Sequence, residues 1–211
     1  RVAPTWIARD RAAGAAAAAA AGAQLIVMDD GFQNPGIAKD LSLVVVDGGY
    51  GFGNGRVMPA GPLREPRAAG LARADAVVLM EPDKARAAAL LPSSLPVLRA
   101  TLAPTEPDAL RGRSVFAFAG IARPQKFFAT LESIGCRVVG RKAFPDHHPF
   151  TEAEIAPLVA AAERMDTLPV TTEKDAVRLP PAMRTRVATL PVALRWACSS
   201  AGRGPACRSP P

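Results

Sequence analysis

The chain reads as an α/β protein, with a mostly parallel sheet in its first part and a second, smaller α/β domain after it. Three observations predict this. Short continuous apolar runs alternate with Ala-rich or amphipathic stretches, the pattern of buried strands covered by helices. Several of these runs end directly in Asp or in Gly-rich turns, as strands do where an open parallel sheet gathers its ligands. The 211 residues are 49% hydrophobic but only 5% aromatic, so the core is ample and built from Ala, Val and Leu.

These figures exclude a disordered chain, and the absence of a Gly-X-Y period excludes collagen. No apolar run approaches the roughly 20 residues that span a bilayer. Lys and Arg number 26 against 19 Asp and Glu, a net charge of +7, which favours anionic partners such as phosphates, nucleic acid or a lipid surface. Cys136, Cys198 and Cys207 are too few and too uneven for a disulfide framework or a zinc knuckle, so a reducing cytosol is the simpler compartment.

Residues 9–23, nearly all Ala behind Arg9, Asp10 and Arg11, predict a packed helix. Leu25-Ile26-Val27-Met28 predicts a buried parallel strand with Asp29-Asp30-Gly31 at its C-terminal end. Leu43-Val44-Val45-Val46 predicts a second, finishing on Asp47 and Gly48-Gly49. The Gly- and Pro-rich stretch 48–66 reads as a long functional loop. A strand at 76–80, a helix from Lys84 to Leu91, a strand at 97–100 and a linker at 104–113 follow. The domains are expected at 1–111 and 112–197. In the second, Val115 to Ala119 restarts the alternation, and Pro124 opens a helix with Phe127, Phe128, Leu131 and Ile134 on one face. A strand over 137–143 leads into Phe144-Pro145-Asp146-His147-His148-Pro149-Phe150. Thr151 and Glu154 have capping-box spacing for a helix to about Met165, Thr172 caps another after the strand 168–171, and 187–196 reads as one last strand. Residues 198–211 are expected to be a disordered tail.

A carboxylate held at a strand end can meet a nucleotide's magnesium or an attacking hydroxyl, although strand-end Asp also serves as a helix cap. The doubled Asp29-Asp30 favours function, because adjacent carboxylates repel unless a cation or proton is shared. His147 and His148 are the only histidines; set beside Asp146 between two prolines, they suit metal binding or proton transfer. Arg56, Arg64 and Arg67 on the Gly/Pro-rich loop suit a phosphorylated ligand. Lys174 reads as surface charge. No lysine follows a Gly, so the chain contains no Gly-Lys-Ser/Thr phosphate loop, and Gly51-Phe52-Gly53-Asn54-Gly55 lacks the strand-to-helix switch of a nucleotide loop.

In order, Ile26 to Pro35 (IVMDDGFQNP), Asp47 to Pro66 (DGGYGFGNGRVMPAGPLREP), Ala117 to Phe128 (AFAGIARPQKFF), Phe144 to Phe150 (FPDHHPF) and Val170 to Asp175 (VTTEKD) resemble one family. It is the bacterial tetraacyldisaccharide 4'-kinase, which phosphorylates the lipid A precursor. The resemblance runs to about residue 196. It implies a P-loop-kinase core with its N-terminal part missing, ATP as cosubstrate and Mg2+ as cofactor. It also implies a lipid A disaccharide acceptor at the cytoplasmic face of the Gram-negative inner membrane, with the enzyme peripheral to the inner leaflet, and no nucleic acid partner. By the same resemblance Asp29 is the catalytic carboxylate and His147 its partner, Asp30 lies near the metal, and Gln33, Arg56 and Arg64 face the substrate. The family's Gly-rich loop precedes the point where this sequence starts, so the chain is expected to be an incomplete copy that holds ATP weakly. Two other readings stay open: a metal-dependent phosphoesterase using Asp29, Asp30, Asp146, His147 and His148 for two metals, and an inactive remnant.

Overall fold

Apolar runs that lack polar alternation need partners on both faces, and the computed structural model, which describes residues 3–197, shows how they find them. The chain divides into two units, residues 1–101 with 196–211, and residues 102–195.

In the first unit Asp10 caps α1 (Arg11–Ala20), its carboxylate accepting the N–H groups of Ala12 and Ala13 at 2.9 and 3.1 Å. Strands β1 (Leu43–Asp47), β2 (Ala76–Met80) and β3 (Val97–Pro104) lie parallel in that order, with Val44 opposite Val77 and Val78 opposite Leu98. The short helix α2 (Arg67–Leu71) lies between β1 and β2 in the chain. Val46, Leu71, Val77, Leu79 and Ala87 form the core, joined by Val44 and Phe52. Gly48 follows β1 where only Gly fits: a Cβ there would stand 2.5 Å from the Met80 carbonyl oxygen and 2.8 Å from the Asp83 Cα.

Three expectations for this unit need correction. Leu25 to Met28 forms no strand, and Leu25 and Val27 are 81% and 85% exposed. A strand is held by its ladder, and among the described residues β1 pairs with β2 alone and 25–28 pairs with nothing. Asp29 and Asp30 therefore sit in a turn. The helix expected over 84–91 shrinks to one 3-10 turn, Ala87–Leu90, because the Asp83 carboxylate takes the N–H groups of Ala87 and Ala88 at 2.7 and 2.9 Å and starts it late. The Ala-rich helix is shorter than 9–23, and only Ala18 of it is buried.

In the second unit β4 (Ser114–Ala119), β5 (Arg137–Ala143), β6 (Leu168–Thr172) and β7 (Ala188–Leu190) form an all-parallel sheet in the order β5-β4-β6-β7. Alternation along β4 divides the core. Val115, Ala117 and Ala119 face Phe127, Phe128 and Leu131 of α3 (Pro124–Ser133), while Phe118 faces Ile155 and Val159 of α4 (Glu152–Arg164) and Met183 of α6 (Pro181–Arg184). Gly140 lets the Phe116 ring lie across β5, where a Cβ would come within 2.4 Å of it. The capping box forms as its spacing predicts, with Thr151 N–H and hydroxyl donating to Glu154 Oε2 at 3.0 and 2.8 Å. The single strand expected over 187–196 is two, β7 and β8 (Val192–Trp196), separated by Pro191, whose missing N–H interrupts a ladder. The tail expected over 198–211 lies outside the described residues.

Candidate functional site

In the first unit the chemistry gathers on the turn at 29–33 and the loop at 62–67. Asp30 has φ 52°, a left-handed conformation that Asp tolerates better than most residues. Its carboxylate meets Arg64, whose Nη1 donates to Oδ1 at 2.8 Å and Oδ2 at 2.9 Å, and also to Gln33 Oε1 at 3.4 Å. Gln33 Nε2 donates to Glu65 Oε1 at 3.1 Å, and Arg73 closes a two-nitrogen fork on Glu65 at 2.8 and 2.8 Å. The Arg73 guanidinium also lies 5.1 Å above the Phe32 ring. That fork, above all, holds the Glu65 carboxyl below the usual carboxylate range; burial opposes it and the Gln33 bond adds to it. A cavity of about 110 Å3 opens here, lined by Phe32, Gln33, Phe52, Arg64 and Arg67 among others.

Of the residues singled out in the sequence, Asp30, Gln33 and Arg64 come together. Asp29 is exposed and makes no hydrogen bond or ion pair among the described residues. Arg56 stands apart: its backbone N–H donates to Asn54 Oδ1 at 3.1 Å, its carbonyl accepts from Leu63 at 3.1 Å, and its side chain is exposed.

In the second unit the chemistry lies beyond the C-terminal ends of β4, β5 and β6. His147 is exposed, with φ 58° and its N–H on the Gly120 carbonyl at 3.1 Å. Its Nε2 lies 3.4 Å from Lys174 Nζ and 3.8 Å from Asp146 Oδ2, and Lys174 Nζ lies 3.8 Å from Asp146 Oδ1. His148 is occupied otherwise. Its Nε2 meets Glu154 Oε1 at 2.9 Å, and its ring stacks on Phe144 at 4.9 Å and edges Phe150 at 5.3 Å. The Thr151 hydroxyl and N–H hold the Glu154 carboxyl below its ordinary range, with His148 contributing. Of the two histidines, His147 alone is presented to solvent.

Sequence reasoning missed the support beneath His147. Asp175, at the start of α5 (Glu173–Ala176), is fully buried, and its Oδ2 accepts the Gly120 N–H at 2.9 Å and the Thr172 hydroxyl at 2.8 Å. Its Oδ1 pairs with Arg178, whose Nη2 also donates to the Gly120 carbonyl at 3.1 Å. Lys174, read from the sequence as surface charge, touches His147. The available signal was position, since Lys174 and Asp175 follow a buried strand by two and three residues. Among the described residues no group of three or more His, Cys, Asp or Glu gathers as metal ligands do, and the phosphoesterase reading finds no support.

A sequence profile described as "Tetraacyldisaccharide-1-P 4'-kinase" matches residues 1–202. The tetraacyldisaccharide 4'-kinase of Rhodospirillum centenum is 63% identical over 197 residues, 92% of this chain and 58% of its own length. That of Paramagnetospirillum magneticum is 57% identical over 198 residues, 93% of this chain and 61% of its own. The chain therefore spans about three fifths of these curated relatives. A crystal structure described as the "apo" form of LpxK from Aquifex aeolicus in complex with ATP matches with a TM-score of 0.56 at 24% identity, covering 80% of this chain and 52% of that one. The parallel α/β architecture is thus shared with that solved structure. With the family profile running through both units and relatives this similar, the chain belongs to the tetraacyldisaccharide-1-phosphate 4'-kinase family.

Proposed function

We propose that the protein transfers the terminal phosphoryl group of ATP to the 4'-hydroxyl of a tetraacyldisaccharide 1-phosphate, the lipid A precursor, at the cytoplasmic face of the inner membrane. The observation that carries this reading is the family match from residue 1 to residue 202, which takes in the carboxylate turn, the Arg64 loop and the His147 loop alike.

The residues suit the chemistry. The 4'-hydroxyl must lose a proton as it attacks, and Asp29, exposed and unpaired among the described residues, is a carboxylate able to accept it. His147, exposed on its own unit, is an imidazole able to share a proton. Magnesium asks for one or two carboxylates and takes its other ligands from phosphates and water; the adjacent Asp29 and Asp30 supply them, and Asp30, whose oxygens also accept from Arg64, would hold the ion through its remaining lone pairs. Held there, a magnesium ion would neutralise charge on the phosphate oxygens. Arg64 holds Asp30 through Nη1 alone, which leaves its Nε and Nη2 edge to meet a phosphate of the substrate. Gln33 accepts from Arg64 Nη1, and Arg56, exposed elsewhere on the same loop, offers a further positive charge to an anionic substrate. Acyl chains place the acceptor at a lipid surface, where a net charge of +7 is favourable. No helix among the described residues is long and apolar enough to cross a membrane.

The test is transfer of label from γ-labelled ATP into the organic-soluble disaccharide by the full-length protein. Asp29→Asn and His147→Ala should each lower kcat by about 100-fold or more. Release of phosphate from the disaccharide with manganese and no ATP would instead establish a phosphoesterase.

A further inference from the structure

We propose that the Lys174–Asp175 turn is the positioning element of His147, Lys174 orienting its ring and Asp175 fixing its backbone. The inference rests on the role for His147 given above and adds residues that role leaves unused.

A non-glycine residue at φ 58° is held there only when its surroundings over-determine it. For His147 the determining bond is its N–H to the Gly120 carbonyl at 3.1 Å, shared with Asp146 Oδ1 at 3.0 Å. Gly120 is itself clamped from the buried side. Its N–H donates to Asp175 and its carbonyl also receives Arg178, which is paired to the same Asp175. A side chain at position 120 would crowd this seat, because a Cβ would stand 3.0 Å from Phe150 Cζ and 3.2 Å from the Pro145 carbonyl oxygen. Asp175, wholly buried and satisfied by these partners, thus fixes the backbone on which His147 stands.

Lys174 acts on the other half of the residue. An ammonium group only donates, so Nζ at 3.4 Å from Nε2 requires that nitrogen to accept, and the proton of the neutral ring then sits on Nδ1. Asp146, at 3.8 Å, is beyond hydrogen-bond reach of the same nitrogen. Lys174 therefore sets which ring nitrogen presents a lone pair, a choice that decides what a histidine can do in proton transfer.

Imidazole nitrogen NMR and steady-state kinetics on the full-length enzyme test this, with Lys174 as the decisive position because it is exposed and its replacement does not endanger folding. Lys174→Met should release the ring from the Nδ1–H form and lower kcat about 10- to 100-fold, with little change in KM for ATP. Lys174→Arg, which keeps a donor, should restore most of the rate. Asp175→Asn should speed amide exchange at Gly120 and His147. Wild-type kcat and an unchanged ring form in Lys174→Met, alongside an impaired His147→Ala, would overturn the positioning role and leave His147 standing. A full-rate His147→Ala would overturn the reading of His147 itself, and this inference with it.

Discussion

Arg64 is the residue on which the first unit's site turns. It anchors to Asp30 with one nitrogen; on the proposed function its remaining guanidinium edge meets the substrate, so Arg64→Ala in the full-length enzyme should raise KM for the disaccharide more than KM for ATP, and Lys should not replace it. An unchanged disaccharide KM would make the loop structural. Glu65 makes a second prediction at this scale. Its carboxyl is held low, chiefly by Arg73, so its ionised form is favoured by folding. That contribution is present above the ordinary carboxylate range and fades as pH falls through the lowered value. Glu65→Gln should therefore destabilise the first unit at neutral pH and lose that effect in acid, as pH falls through the lowered value. Both tryptophans, Trp6 and Trp196, belong to this unit, and their fluorescence during denaturation reads it. Motif order grouped Asp30, Gln33 and Arg64 in the sequence, and the structure brings their side chains together. The Glu65–Arg73 fork was not legible, because nothing in a sequence distinguishes a loop Glu that meets solvent from one that meets an Arg eight residues on.

At the scale of elements, what the sequence showed well were pieces whose signal is local. The Pro124 start of α3, the Thr151–Glu154 box of α4 and the apolar runs of β1, β2, β4 and β6 all form where their residues place them. The run at 25–28 has the same local signal as β1 yet forms no strand, because a strand depends on a neighbour that no local pattern reports. His147 and His148 make the same point for the site. They look equivalent in sequence, and only the Phe144 stack and the Glu154 contact reserve His148 for packing. Gly48 supplies the element-scale prediction. Its backbone is pressed between Met80 and Asp83, its N–H donating to the Met80 carbonyl at 2.8 Å. Gly48→Ala should cost about 1–3 kcal/mol, seen as a lower denaturation midpoint by tryptophan fluorescence. A neutral result would mean that the β1–β2 end yields more readily than its backbone contacts imply.

Across the whole molecule, both units use glycines, Gly48 in one and Gly120 in the other, where backbone segments approach closely, and the second unit delivers its chemistry beyond the carboxyl ends of β4, β5 and β6. In the second unit the Asp175–Arg178 pair sits behind the exposed His147, whereas in the first the Glu65–Arg73 pair beside Arg64 is itself open to solvent on its Arg73 side. On the proposed function these pairs would hold the groups that meet the substrate, in keeping with phosphoryl transfer, where catalysis is mostly positioning and charge. The most direct measurement of the central claim is the position of the phosphate that the full-length protein adds. With ATP, magnesium and tetraacyldisaccharide 1-phosphate, phosphorus NMR of the extracted lipid should show one new monoester on the 4'-oxygen, formed in step with ADP. A new ester on any other oxygen, or ADP formed without a new lipid phosphate, would contradict it.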